Sequence, residues 1–154
     1  MTKLQPGDII LYPITKHSNL LDKAIGIVER FIGPNTKYQY GHCAIWLQPG
    51  IQIEAYFPYC RVSHINPKRP KQIYRYKGIT KAQRQKIVAT GLKQVHKFYD
   101  VIQILSFNLL LIKGTEVCSG LVNISYKGGH ITLSNKKNAS PDDIAANKHL
   151  VRIK

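Results

Sequence analysis

Acidic residues are scarce in this chain: 8 Asp and Glu stand against 23 Lys and Arg in 154 residues, a formal net charge of +15. A field of that sign attracts anionic partners, whether nucleic acid, a teichoic-acid-bearing wall or acidic lipid, and is silent about fold. A nucleic-acid module is not indicated. One clear basic cluster occurs, Lys68-Arg69-Pro70-Lys71, with no zinc-finger spacing and no aromatic-basic signature beside it. The excess charge reads as a solvated basic surface. Cysteine is also sparse. Cys43, Cys60 and Cys118 are too few, and odd in number, for a disulfide scaffold. They also lack the C-x-x-C spacing of a structural zinc site. Nothing reads as a signal peptide, because the polar Met1-Thr2-Lys3-Leu4-Gln5 runs straight into Pro6-Gly7-Asp8. The most apolar window, Val101 to Ile112, is about half a transmembrane span and carries Gln103, Ser106 and Asn108. The expectation is cytoplasmic synthesis without an integral membrane segment, with later release left open; oligomeric state has no signal.

What is present fits one folded domain over 1–154. A hydrophobic content of 44% and a charged content of 20% are ordinary for a globular chain with a real core. Pro6-Gly7-Asp8 is a turn before a short strand, Ile9 to Tyr12, stopped by Pro13. Ser18 can cap a helix whose Leu21, Ala24, Ile25, Val28, Phe31 and Ile32 repeat at helical period, ended by Gly33-Pro34. A β-rich run, His42 to Leu47, meets a second one, Ile51 to Tyr56, through Gln48-Pro49-Gly50. Further strands are expected at Arg61–Ile65 and Ile73–Tyr76, around a basic loop from Asn66 to Lys71. Thr80 and Gln83 form a capping box for a helix with a predicted stripe of Val88, Gly91, Leu92, Val95 and Phe98. Tyr99-Asp100 breaks it, and Asp100 can cap a buried helix through Ile112. Ser140-Pro141-Asp142-Asp143 opens a last short helix, with serine as N-cap and proline at N1. A strand, Leu150–Ile153, follows. No repeat, low-complexity tract or linker divides the chain, and the pattern reads as α+β.

The chemistry concentrates in Thr115-Glu116-Val117-Cys118-Ser119-Gly120-Leu121-Val122. Thr115 is a plausible N-cap, which puts Cys118 in a first helical turn, where free N–H groups and the helix dipole lower a thiol pKa. Alone, this stretch is equally what a structural cysteine under a helix looks like. A nucleophilic thiol needs a base and a group that orients the base. His42 and Glu54 qualify if the hairpin register puts them on one face. A three-residue loop, 48–50, pairs Ala44 with Glu54 and makes Glu54 the diagonal neighbour of His42. A two-residue Pro49-Gly50 turn would instead pair Ile45 with Glu54 and send the carboxylate to the other face. The first register is preferred, because it gathers Cys43, Ile45, Leu47, Ile51, Ile53 and Ala55 on one apolar face. The second would bury Glu54 among them. Cys43 then belongs to the core, and alternation points it away from His42, which argues against His42, Cys43 and Cys60 as metal ligands.

These motifs occur in an order that resembles a known family. Gly7-Asp8-Ile9-Ile10, Gly41-His42-Cys43-Ala44-Ile45-Trp46, Ile53-Glu54-Ala55, Tyr99-Asp100, Cys118-Ser119-Gly120-Leu121-Val122 and Ser140-Pro141-Asp142-Asp143 together look like the circularly permuted papain-like superfamily. That group includes permuted NlpC-type cell-wall hydrolases and enzymes similar to lecithin:retinol acyltransferase. The resemblance spans about residues 7 to 147. It implies a permuted papain-like fold, with a small antiparallel sheet or barrel packed against helices. Carried over by position, Cys118 matches the nucleophile, His42 the general base and Glu54 the polar third member, with no cofactor and no metal. Family members more often carry an acidic residue where Gly120 stands, a position where glycine permits close packing.

The activity so implied is acyl transfer: a cysteine peptidase or amidase acting on peptidoglycan-type peptides, aided on an anionic wall by the positive surface. The backbone N–H of Cys118 would serve as an oxyanion donor. Two other readings use the same residues or the same surface. One is a lipid acyl hydrolase or acyltransferase with the Cys118–His42–Glu54 site; the other is a non-catalytic basic binding module on this scaffold.

Overall fold

The computed structural model describes residues 3–15, 39–56, 59–97, 118–136 and 139–154. The expected Ser18 helix, the Tyr99-Asp100 break, the helix through Ile112 and the Thr115 cap lie outside the described residues. The rest is α+β. Six strands, β1 (Ile9–Pro13), β2 (Tyr40–Gln48), β3 (Ile51–Tyr56), β4 (Tyr59–His64), β5 (Gln72–Tyr76) and β6 (Leu150–Arg152), form one antiparallel sheet in the order β4-β3-β2-β1-β5-β6. Three helices accompany it: α1 (Lys81–Leu92), α2 (Cys118–Gly128) and α3 (Pro141–Ala145). Among the described residues, no helix is long and apolar enough to cross a membrane.

Alternation along the strands gives the sheet two unlike faces. Ile9 and Leu11 of β1, Cys43 and Ile45 of β2, and Ile53 and Ala55 of β3 point toward the helices. There they join Ile87, Cys118, Leu121, Val122 and Tyr126 in the main core. The other face carries Ile10, Tyr12 and Ala44 as a small apolar cluster with Trp46 and Ile65. The same face also carries the polar, buried His42, Gln52 and Glu54. One face holds the fold together, and the other buries the polar groups.

The β2–β3 hairpin combines the two turns weighed above. Gln48 pairs with Ile51, so the loop is the two-residue Pro49-Gly50, and Gly50 has the positive φ (+77°) that the third position of a type II turn requires. A bulge at Leu47 then takes up the extra residue, and Trp46 faces Gln52 while Ala44 faces Glu54. The expected pairing of Ala44 with Glu54 holds, but Gln48 rather than Leu47 faces Ile51, and the three-residue turn does not form. The bulge supplies the twist correction that a type II turn lacks.

Helix α1 has the expected Thr80–Gln83 capping box, with the Thr80 hydroxyl accepting from Gln83 N–H and the Gln83 side chain accepting from Thr80 N–H. Its buried line follows the predicted stripe only in part: Gly91 is buried and Val88 and Val95 pack against the core. Ile87 and Gly91 are buried, whereas Leu92 is 41% exposed. Gly91 sets this line: a Cβ there would lie 3.0 Å from Ser125 Oγ and 3.3 Å from Ile53 Cδ1, so the missing side chain is what lets α1 approach. The helix also stops at Leu92, short of Phe98. Beyond it His96 takes a left-handed φ of 69°, its N–H donates to the Cys60 carbonyl, and Cys60 N–H donates to the Lys97 carbonyl. Edge-strand hydrogen bonding thus replaces the last helical turns. Helix α3 has the expected Ser140 cap and Pro141 start, and Asp143 completes a capping box.

Candidate active site

His42 owes its position to an irregularity next to it. Tyr12 pairs with His42 and Pro13 with Tyr40, so Gly41 is the extra residue of a β-bulge between β1 and β2. Here the start of α2, from the helix side, meets an imidazole from the opposite face. His42 is buried between two tyrosines. The Tyr12 ring lies 5.5 Å away and tilted, and the Tyr56 ring stands edge-on at 6.1 Å. Each tyrosine is in turn covered by a guanidinium, Arg69 over Tyr12 at 4.0 Å and Arg61 over Tyr56 at 4.5 Å.

His42 Nε2 is 3.0 Å from Glu54 Oε2, so the carboxylate lies on the face that the register predicts. The other ring nitrogen is left for Cys118, whose sulfur hydrogen-bonds the imidazole. Cys118, His42 and Glu54 therefore form one buried chain. Each is held in the ionisation state that this order requires. The Cys118 thiol sits well below its ordinary value, because the Cys43 side chain and backbone N–H donate to the sulfur and the His42 imidazolium faces it, against the cost of burial. Burial would push His42 down, but the Cys118 thiolate and then Glu54 raise it to about 9. Glu54 is opposed by burial as well, yet its bonds to His42, Ser63 and Arg61 hold it at about 2. A thiolate, an imidazolium and a carboxylate in sequence are the consistent assignment.

Glu54 is held by more than the histidine. Oε1 accepts from Arg61 Nε (3.0 Å), Arg61 Nη2 (2.9 Å) and Ser63 Oγ (2.8 Å), and Oε2 accepts from Gln52 Nε2 (3.1 Å) besides facing His42. Gln52 is itself oriented by Tyr12, whose hydroxyl donates to its Oε1 at 2.5 Å. Sequence reading missed Arg61, Ser63, Gln52 and Tyr12 in this role. A signal was available, since Tyr56 pairs with Tyr59 and the same register sets Arg61 opposite Glu54 and Ser63 opposite Gln52. Starting the fourth strand at Arg61 hid it. Cys43 is in the core, as expected, but it also touches the Cys118 sulfur, a contact that alternation alone does not reveal.

Helix α2 buries Cys118, Leu121, Val122 and Ser125, which lie on one face at helical spacing, and also Ser119, Asn123 and Tyr126. Cys118 is its first residue among those described. Gly120 is partly exposed. Cys60 is half-buried on β4, and burial pushes its thiol up against the opposing pull of Lys97. Among the described residues, no three His, Cys, Asp or Glu side chains group so as to hold a metal ion.

The arrangement defines a buried Cys–His–Glu relay on an α+β sheet. No protein family and no curated protein matches the chain. Four chains among solved structures do match. One is the crystal structure of the metalloprotein yiiX from Escherichia coli O157:H7, with a TM-score of 0.69 at 18% identity, covering 97% of this chain and 96% of that one. At that identity the likeness speaks for the fold alone.

Proposed function

We propose that the protein is a cysteine hydrolase that works by acyl transfer, with Cys118 as nucleophile, His42 as base and acid, and Glu54 as the group that orients His42. The observation that carries this reading is the hydrogen-bonded series Cys118–His42–Glu54 with its alternating charges. A merely structural cysteine has no use for an imidazolium beside it. The order of motifs, which resembles the permuted papain-like group, supports the same assignment and suggests peptidoglycan-type peptides as substrate.

In this mechanism the proton of Cys118 resides on His42, and the thiolate attacks an amide or ester carbonyl. The backbone N–H of Cys118 is the proposed donor to the developing oxyanion. His42 gives its proton to the leaving group, and the acyl-thioester is then hydrolysed by a water that His42 deprotonates. Glu54 fixes the ring and stabilises imidazolium throughout. The solved neighbour is described as a metalloprotein. Here both Glu54 oxygens are filled by protein donors and the described residues assemble no metal-ligand group, so every step is assigned to the chain's own side chains.

The basic surface supports a polyanionic setting for the substrate. All four acidic side chains among the described residues are engaged: Asp8 by Arg75 and Arg84, Glu54 in the site, Asp142 by the N–H groups of Gln39 and Tyr40, and Asp143 by Lys136. The loop after β4 is also built to present charge. Lys71 Nζ donates to the carbonyls of Asn66, Pro67 and Arg69 and fixes the loop that carries Lys68.

Limiting iodoacetamide at pH 6 tests the reading. Cys118 should be alkylated before Cys43 and Cys60, and Cys118→Ala should lower turnover of wall peptides by at least about 10⁴-fold. Turnover on teichoic-acid-bearing wall should weaken with salt. Labelling of Cys43 or Cys60 first would remove Cys118 as nucleophile.

A further inference from the structure

Of the groups that hold Glu54, Arg61 reaches farthest into solvent. Its side chain is 41% exposed, against 4% for Glu54 and 4% for His42. Resting on the relay read above, we propose that Arg61 is a positioning residue that sets both the orientation and the proton affinity of His42 without touching substrate.

Two routes connect Arg61 to the imidazole. The first runs through Glu54. Arg61 Nε and Nη2, with Ser63 Oγ, take Oε1 at 3.0, 2.9 and 2.8 Å, which turns Oε2 toward His42 Nε2. The second runs through Tyr56, whose ring carries the Arg61 guanidinium on its face and stands at 89° to the imidazole. The same cation holds the carboxylate and one wall of the histidine's slot.

The electrostatic consequence has a definite sign. Among the described residues, the groups that face His42 are the Cys118 sulfur from α2, the Glu54 carboxylate and the Tyr56 ring from β3, and the Tyr12 ring from β1; Arg61 from β4 and Arg69 stand behind the last three. Thiolate and carboxylate both favour imidazolium. Arg61 opposes them, because it draws on the same carboxylate and repels a second cation. An imidazolium held too firmly is a poor acid for a departing amine. Arg61 thus keeps the proton of His42 transferable.

The test uses the full chain, with the His42 ring followed by NMR across pH, beside turnover. Arg61→Met removes the charge and keeps a stem that can pack on Tyr56. The His42 midpoint should rise by roughly half a pH unit, the size expected of a partly screened unit charge at this range. Turnover near neutral pH should fall roughly tenfold. Arg61→Lys keeps the charge but not the paired donors, so its midpoint should stay near wild type while turnover still falls. Arg61→Gln serves as the charge-removing variant if the methionine form does not fold. An unmoved or lowered midpoint in a folded neutral variant would overturn the proposal, whatever happens to turnover. The midpoint is read without any reaction. A silent Cys118 would therefore sink the hydrolase reading and leave the Arg61–His42 coupling to be judged on its own.

Discussion

Among the described residues two carboxylates are buried, and both are clamped by arginine, yet their surroundings differ. Asp8 is fully buried and takes Arg75 Nε and Nη2 at 2.8 and 2.6 Å, Arg84 Nη1 at 3.2 Å, and the Gln5 N–H at 2.8 Å. Its partners come from the N-terminal turn, β5 and α1, so it ties three segments together. Glu54 takes Arg61, Ser63 and Gln52 in a similar way, but its last position goes to an imidazole. The guanidiniums that hold Asp8 are permanently charged. Around Glu54 one partner titrates. Similar burial and similar clamping fit a brace in one place and, on the proposed function, a proton relay in the other; the difference is one histidine.

The largest effect that separates them is on turnover. Glu54→Gln keeps shape but lets His42 choose its tautomer, and turnover should fall by roughly 10²–10⁴-fold. The variant should remain folded, as circular dichroism and a urea titration can check. Full turnover in Glu54→Gln would place Glu54 with Asp8 as a brace. Asp8→Asn should do the reverse. It leaves Arg75 and Arg84, 17% and 11% exposed, without their counter-charge, and should cost about 3–5 kcal/mol in urea unfolding. Cys118 alkylation in the folded fraction should be little changed.

The smallest effect is in the pH dependence of stability. Glu54 moves from an ordinary 4.5 to about 2 on folding, so its contribution is present above pH 4.5 and is lost as pH falls through about 2. Glu54→Gln should flatten that acid arm relative to wild type. His42, raised from 6.5 to about 9, contributes below pH 6.5 and loses that contribution as pH rises through about 9. Cys118 is shifted the opposite way, so its contribution grows with pH while that of His42 declines. The two slopes oppose each other, because the pair has moved a proton internally. Urea midpoints of wild type should therefore stay nearly level from pH 6.5 to about 9. Cys118→Ala removes the thiolate that does most to raise His42, so the His42 arm above pH 6.5 should shrink along with that of Cys118.

Much of the frame was legible in the sequence because it rests on local rules. The Thr80–Gln83 and Ser140 caps, the strand on either side of Pro49-Gly50, and the shared face of His42 and Glu54 all follow from side-chain chemistry or period-two alternation. What stayed hidden depends on contacts between distant segments. The buried line of α1 takes in Ile87, which the predicted stripe omitted, and leaves Leu92 out, because the close approach of Gly91 to Ile53 and Ser125 decides which face turns inward. The Arg61–Glu54 pair needed the next strand's register. The Cys43 contact with Cys118 needed the packing of α2 on the sheet.

The bulge at Leu47 also bears on how this hairpin can change over evolutionary time. It restores Ala44 to its place opposite Glu54 after a two-residue turn. Insertions or deletions in this hairpin are therefore read in a frame of two. A single-residue change would carry Glu54 to the helix side, among Ile45 and Ile53, and strand His42 without its anchor. Length variation here should accumulate in even steps, or in odd steps that create or erase the bulge at the same time.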